Sequence, residues 1–179
     1  MSITPTLIKI RRAGPADNFL LADLGKRTFS DAFAIDKTPE DMAAYLAASF
    51  SPQKQADELA DPLSHFLIAE GDGTPVGYAR LLLGETPAAI TGRKPVEIVR
   101  FYSVQEWIGR GVGAALMSAC IALAAEMGCD TIWLDVWERN PRAISFYQKW
   151  GFAVLGMQTF QLGSDTQHDL LMQRSIPQH

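Results

Sequence analysis

The sequence predicts a single-domain α/β fold over residues 1–179, built on a mixed, mostly antiparallel sheet with flanking helices. Size is the first reason: 179 residues, 47% of them hydrophobic, bury one sizeable core and fall short of two ordinary domains. The second is the order of elements: strand, two or three helices, three strands, helix, strand, helix, two strands. That order lacks the regular alternation of a parallel sheet. The third is Gly71-Asp72-Gly73 between two apolar runs, a hairpin signal that makes the middle of the sheet antiparallel.

Residues 7–11 alternate apolar and polar as a strand does, and Gly14-Pro15 ends it before a helical run carrying Phe19, Leu20 and Leu24. Thr38-Pro39-Glu40-Asp41 announces a second helix: the hydroxyl caps, the proline lacks an N–H where none is needed, and the acids face the helix dipole. Met42, Tyr45 and Leu46 mark its apolar face, and Ser51-Pro52 opens a third, short helix. Residues 66–69 and 76–83 form the hairpin strands, and a loop over 84–95 leads to a fourth strand at 96–104. From Gly111, the stripe Val112, Leu116, Cys120, Leu123, Ala124 and Met127 is helical, with Gly128 as its left-handed stop. Ile132, Leu134 and Val136 mark a strand. Asn140-Pro141 caps a helix through Ala143, Ile144 and Tyr147 that ends at Gly151, and strands at 152–155 and 170–174 close the chain.

Lys plus Arg number 16 against 20 Asp plus Glu, so the formal charge of -4 gives no electrostatic reason to expect nucleic acid or an anionic membrane as partner. The N-terminus lacks the pattern of a secretory signal, and no stretch approaches the roughly 18 apolar residues of a membrane span, so a cytoplasmic protein is expected. Cys120 and Cys129 lack metal-ligand spacing, and His65, His168 and His179 are scattered, so no metal is expected.

Gly109-Arg110-Gly111-Val112-Gly113 sits between a strand and a helix, where small residues let backbone N–H groups approach an anion and the helix dipole adds attraction. The implied ligand is a phosphate or pyrophosphate. Extended to Ala114, the same residues satisfy the dinucleotide pattern G-x-G-x-x-G/A, with Asp135 or Glu138 near the ~20-residue offset of its acidic partner. Too little chain follows Gly113 for the strand–helix units of that fold, and no Gly-Lys-Ser or Gly-Lys-Thr follows the glycines to make a nucleoside-triphosphate loop. A tight turn without a ligand is the alternative.

Residues 96–152 resemble the GCN5-related N-acetyltransferase superfamily through two motifs whose spacing agrees. The first, Gln or Arg, two residues, Gly, one residue, Gly or Ala, falls on Ile108-Gly109-Arg110-Gly111-Val112-Gly113; Ile108 departs from it, and Arg110 supplies charge nearby. The second is DVWERNPRAISFYQKWGF, with the family's Asn at Asn140 and its Tyr at Tyr147. FSDAF, TPEDMAAYL, IWLDVWERN and QHDLLMQR extend the resemblance toward the bacterial PaiA-type spermidine/spermine N-acetyltransferases. The resemblance implies a sheet splayed open near its middle, with acetyl-coenzyme A entering as cosubstrate between the strands that end at Val104 and Trp137. It assigns the coenzyme to Phe101, Tyr102 and Ser103, to Ile108, Gly109, Arg110, Gly111, Val112, Gly113 and Ala114, and to Asn140 and Tyr147. It implies acetyl transfer to the primary amine of a small molecule such as spermidine or spermine, and is compatible with a homodimer.

The chemistry sets further demands. An alkyl ammonium, with a pKa near ~10, must lose a proton before it attacks a thioester. Glu97, on the strand before the glycine loop at the spacing where many members of the resembled family place a base carboxylate, is the candidate base, directly or through water, an ordinary surface glutamate being the alternative. Tyr147 is the candidate partner of the leaving thiolate, or else a packed helix aromatic. A backbone N–H around Phe101, Tyr102 and Ser103 is implied for the developing oxyanion. Neither cysteine sits beside a histidine, so direct attack without an acyl-enzyme is expected. For the acceptor, Asp31, Asp36, Glu40 and Asp41 cluster at the first two helices; Asp31, flanked by Phe29 and Phe33, is the best placed to hold an ammonium, while Glu40 and Asp41 also read as helix-capping acids. A protein N-terminus or another small amine as acceptor, and a noncatalytic acetyl-coenzyme A-binding module, remain alternatives at this stage.

Overall fold

The computed structural model describes residues 6–178, apart from the side chains of Asp36, Phe160 and Leu162. The elements run β1 (Ile8–Arg12), α1 (Asn18–Phe33), α2 (Pro39–Ser49), α3 (Pro52–Ala60), β2 (Ser64–Gly71), β3 (Thr74–Leu82), β4 (Pro95–Ser103), α4 (Val112–Glu126), β5 (Thr131–Trp137), α5 (Pro141–Lys149), β6 (Ala153–Leu162) and β7 (Asp165–Ser175). The seven strands are hydrogen-bonded in the order β1-β2-β3-β4-β5-β7-β6. Two compact units divide the chain: one takes the residues up to Arg80 with Arg100–Cys120, the other Leu81–Val99 and everything from Ile121 onward.

In the first unit β1 pairs antiparallel with β2, from Ile8 opposite Gly71 to Arg12 opposite Leu67. Asp72 and Gly73 take φ of 51° and 80°, the two left-handed residues of a tight hairpin turn whose twist matches its strands. Thr38 Oγ1 accepts the Asp41 N–H at 3.2 Å, and Ser51 Oγ accepts that of Lys54 at 3.1 Å, so both helices start where the cap residues predict. The face that α1 buries is Leu21, Ala22, Leu24, Gly25, Thr28 and Phe29. Phe19, in the expected helical run, is out of phase with that face and 67% exposed.

In the second unit β4 and β5 are parallel, and their ladder covers only Pro95–Thr131, Val96–Ile132 and Glu97–Trp133, although β4 continues to Ser103 and β5 to Trp137. β7 pairs antiparallel with both β5 and β6. The expected short strands at 152–155 and 170–174 are instead a hairpin of ten and eleven residues, turning at Gly163 with φ 60°. On the β7 side its outer part, Asp165 to Asp169, is polar throughout, so apolar residues do not mark it there, whereas backbone pairing from Gln158 opposite Asp169 to Leu162 opposite Asp165 does. The 84–95 loop is pinned by Ile90, which packs with Trp133 and Leu171, and by Thr91 and Gln173, which exchange hydrogen bonds at 2.9 and 2.7 Å.

Candidate active site

In the first unit the chain leaves β4 through Val104, whose N–H donates to Val76 O at 2.9 Å, makes one 3-10 turn over Gln105–Trp107 and enters α4. Gly109 and Gly111 have φ of 81° and 90°, a region that costs any other residue strain. The α4 ladder begins with the Ala115 N–H on Gly111 O at 3.0 Å, so the N–H groups of Val112, Gly113 and Ala114 precede it and face out of the helix N-terminus. A Cβ at Gly109 would meet nothing within 4 Å, and one at Gly111 only Ile8 Cδ1 at 3.7 Å. The glycines therefore leave open space beside helix-terminal donors, a fit for a pyrophosphate. Trp107 anchors the turn: its ring lies so close over Gly71 that a side chain there would collide with it, and the Arg110 guanidinium stacks 5.0 Å from its centroid.

Phe101, Tyr102 and Ser103 are half-buried at the end of β4. Tyr102 meets Phe29 edge-on at 6.5 Å and Tyr78 at 6.2 Å; Phe29 stacks on Tyr45 at 4.4 Å and lies 4.5 Å from Phe33. Phe29, 4% exposed, is thus core rather than a wall offered to a ligand. Asp31, two residues further on, is exposed, and residues two apart on a helix do not face each other, so the structure separates Asp31 from the ring of Phe29. Glu40 and Asp41 lie in the first turn of α2, while the Asp36 side chain and His179 lie outside the described residues. Burial pushes the Cys120 thiol up to about 12, which leaves it no thiolate with which to act as a nucleophile.

In the second unit Glu97 is half-buried opposite Trp133. Asn140 Oδ1 accepts the Ala143 N–H at 3.2 Å and so caps α5. At the other end of α5 the Phe152 N–H reaches Tyr147 O and the Gly151 N–H reaches Gln148 O, both at 3.0 Å, with Gly151 left-handed at φ 87°. This stop brings two aromatic residues of the motif together: the rings of Tyr147 and Phe152 meet edge-on at 5.8 Å, and Tyr147 is 8% exposed. The position of Tyr147 therefore follows from the Gly151 stop as much as from its own helix.

Sequence reading passed over three polar residues of this unit as a site. Asp135 on β5 accepts from Gln158 Nε2 at 2.6 Å, and Asp169 on β7 has a buried Oδ1 with no hydrogen-bond partner. Burial, reinforced by the charges of Asp135 and Glu138, pushes the Asp169 carboxyl up to about 6. A raised carboxyl weakens folding once it is ionised: the cost is absent below its unfolded value near ~4, grows between there and about 6, and is complete above. Asp169→Asn is expected to raise stability at pH 8 by about 1–3 kcal/mol and to leave it nearly unchanged at pH 4. Urea unfolding at the two pH values checks this; a gain equal at both would refute the assignment.

Residues 28–152 match the model of the acetyltransferase (GNAT) family. The chain belongs to that family. An uncharacterized N-acetyltransferase of Mycobacterium tuberculosis is 36% identical over 156 residues, covering 87% of this chain and 96% of its own. Another, from Lactobacillus delbrueckii subsp. lactis, is 30% identical over 171 residues, covering 96% and 99%. Among solved structures, the PaiA N-acetyltransferase from Thermoplasma acidophilum in complex with coenzyme A shares the GNAT fold with a TM-score of 0.75, at 22% identity over 94% of this chain and 99% of that one.

Proposed function

We propose that this GNAT protein transfers the acetyl group of acetyl-coenzyme A to a primary amine of a small polycation, with spermidine or spermine as the leading acceptor, by direct attack. The observation that carries the coenzyme assignment is the pair of left-handed glycines, open on their Cβ side, ahead of the free N–H groups of α4. Residues 108–114 hold the pyrophosphate through those N–H groups, with Arg110 adding charge. Phe101, Tyr102 and Ser103 line the thioester with backbone donors and acceptors. Asn140 caps α5 and lends the remainder of its amide to the pantetheine arm. Bound acetyl-coenzyme A supplies the activated acyl group.

Glu97 takes the proton of the acceptor ammonium, directly or through one water, and the Tyr147 hydroxyl stabilises the departing thiolate by a hydrogen bond. Full proton transfer from tyrosine, near ~10, to a thiolate near ~8.5 is uphill, so hydrogen bonding is the minimal role. The polyamine preference is supported by the PaiA-like segments and by the fold shared with a PaiA enzyme.

A thiol-release assay over polyamines, monoamines, amino acids, aminoglycosides and N-terminal peptides tests the acceptor, and spermidine is expected to lead. Tyr147→Phe keeps the ring contact with Phe152 and should lower kcat by about 10²-fold with coenzyme affinity intact. Glu97→Gln should displace the rate–pH profile upward, where more of the amine is already neutral. An unchanged profile removes Glu97 as the base.

A further inference from the structure

We propose that Asp135 and Asp169 form a carboxylate pair that holds the second ammonium of the acceptor, the one that is not acetylated. This rests on the acetyltransferase reading above and assigns the acceptor's distal charge to β5 and β7 rather than to Asp31. Asp135 stands opposite Leu171 and Asp169 opposite Trp137, so the two carboxylates are diagonal neighbours on one face of the sheet, together with Trp133 and Glu97. Gln158, opposite Asp169 on β6, reaches across β7 to donate to Asp135 Oδ2. It fixes one carboxylate and leaves the other alone: Asp169 is 6% exposed, and its Oδ1 accepts no hydrogen bond.

Acids therefore meet here with only the exposed His168 set against them among the described residues. The charged groups that bear on Asp169 are Asp135, Glu138 and His168, and no lysine or arginine offsets either aspartate. Unpartnered buried acceptors are rare in folded proteins, and one next to a second acid is costly unless a proton or a cation joins them. No three His, Cys, Asp or Glu side chains among the described residues are placed to share a metal ion. A primary ammonium suits the pair better, because its three N–H donors can serve Asp169 Oδ1 and Asp135 together while its charge offsets theirs. Asp135 keeps part of its surface in solvent, and the half-buried Trp137 on the same face offers an apolar flank for a methylene chain. The chemistry specified is a diamine or longer polyamine.

The test compares 1,4-diaminobutane with butylamine, which lacks only the second ammonium. Calorimetric titration into the protein with coenzyme A present measures binding without turnover, and thiol release measures KM and kcat. The wild-type protein should bind the diamine at least tenfold more tightly than the monoamine. Asp169→Asn, which keeps the side-chain shape, should raise the diamine KM at least tenfold toward the monoamine value, with the monoamine KM and both kcat values within threefold. Asp135→Asn should reduce the same selectivity. Equal binding of the two amines to the wild type, or a selectivity that survives Asp169→Asn and falls with Asp31→Asn, overturns the subsite. Thiol release without diamine selectivity removes the subsite and keeps the acetyltransferase; Asp169-dependent diamine binding without thiol release does the reverse.

Discussion

Glu58→Gln is expected to destabilise the protein by about 3–5 kcal/mol, a large part of a typical total of ~5–15 kcal/mol. Glu58 on α3 holds two arginines: Arg100 on β4 donates to both of its oxygens, at 2.6 and 3.1 Å, and Arg80 on β3 lies 3.7 Å away. The three side chains are only 8–12% exposed. Each cation has further support: Arg80 Nε donates to Ser64 Oγ at 2.9 Å, and Arg100 donates to Gln55 Oε1 at 3.3 Å and lies 4.9 Å from the centre of the Phe50 ring. Burial works against the Arg100 charge, and its hydrogen bond to the Glu58 carboxylate is the largest effect that favours it. Glutamine preserves the shape but removes the negative charge held between two buried guanidiniums, so the cost is that of weakened charge balance as well as of a lost contact. The unfolding midpoint should fall by about 6–20 °C at this chain length. The exposed Arg27–Glu106 pair, 2.6 Å long with side chains 51% and 65% exposed, is the counter-case, and Arg27→Gln should change stability by no more than about 1 kcal/mol. A Glu58→Gln loss below about 1 kcal/mol would show that solvent or relaxation satisfies the arginines. Since Arg100 directly precedes Phe101, Tyr102 and Ser103, the variant should also loosen the strand proposed to line the thioester.

What could be read from the sequence is what local chemistry determines. Thr38, Ser51 and Asn140 each bond an N–H three residues ahead, so their roles depend only on their own helices. Asp72-Gly73 and Gly128 likewise act through their own backbone angles. The features that escaped depend on partners far along the chain. Glu58 meets Arg100 at a separation of 42 residues, and Gln158 meets Asp135 at 23; nothing in the periodicity of either segment signals the pairing. The outer part of the β6–β7 hairpin escaped because the face that β7 buries there is made of polar residues, Gln167 and Asp169, and only its backbone pairing makes it a strand. Asp31 and Phe29 show the opposite case. Neighbours in sequence look like neighbours in space until the helix turns Phe29 inward and leaves Asp31 outside. Asp135 fits the acid position of a dinucleotide pattern in sequence, whereas its position between Trp133 and Trp137 on an alternating strand places it on a shared face with them.

Gly111→Val is expected to lower coenzyme A affinity by at least about 30-fold, which at 1.4 kcal/mol per tenfold is a loss of ~2 kcal/mol. Two effects must be separated. Any side chain at φ 90° strains the backbone by about 1–2 kcal/mol, more when it is β-branched, and this lowers stability whether or not a ligand binds there. The added methyl groups would also occupy the space beside the Val112, Gly113 and Ala114 N–H groups, where the folded protein itself offers only Ile8 Cδ1 as a neighbour. Gly73 provides the control for strain: its φ is 80°, a Cβ there meets nothing within 4 Å, and it lies in the β2–β3 turn. Gly73→Val and Gly111→Val should therefore lose similar stability in urea, while only the second should lose coenzyme A in calorimetry. Gly109→Ala, at φ 81° with open space around it, should fall between them, because its smaller side chain crowds the pyrophosphate less. If Gly111→Val folds and binds coenzyme A within threefold of wild type, the loop is a turn and the pyrophosphate lies elsewhere. If Gly73→Val loses affinity equally, the effect is strain transmitted through the fold, and the N–H groups of α4 have no special part in it.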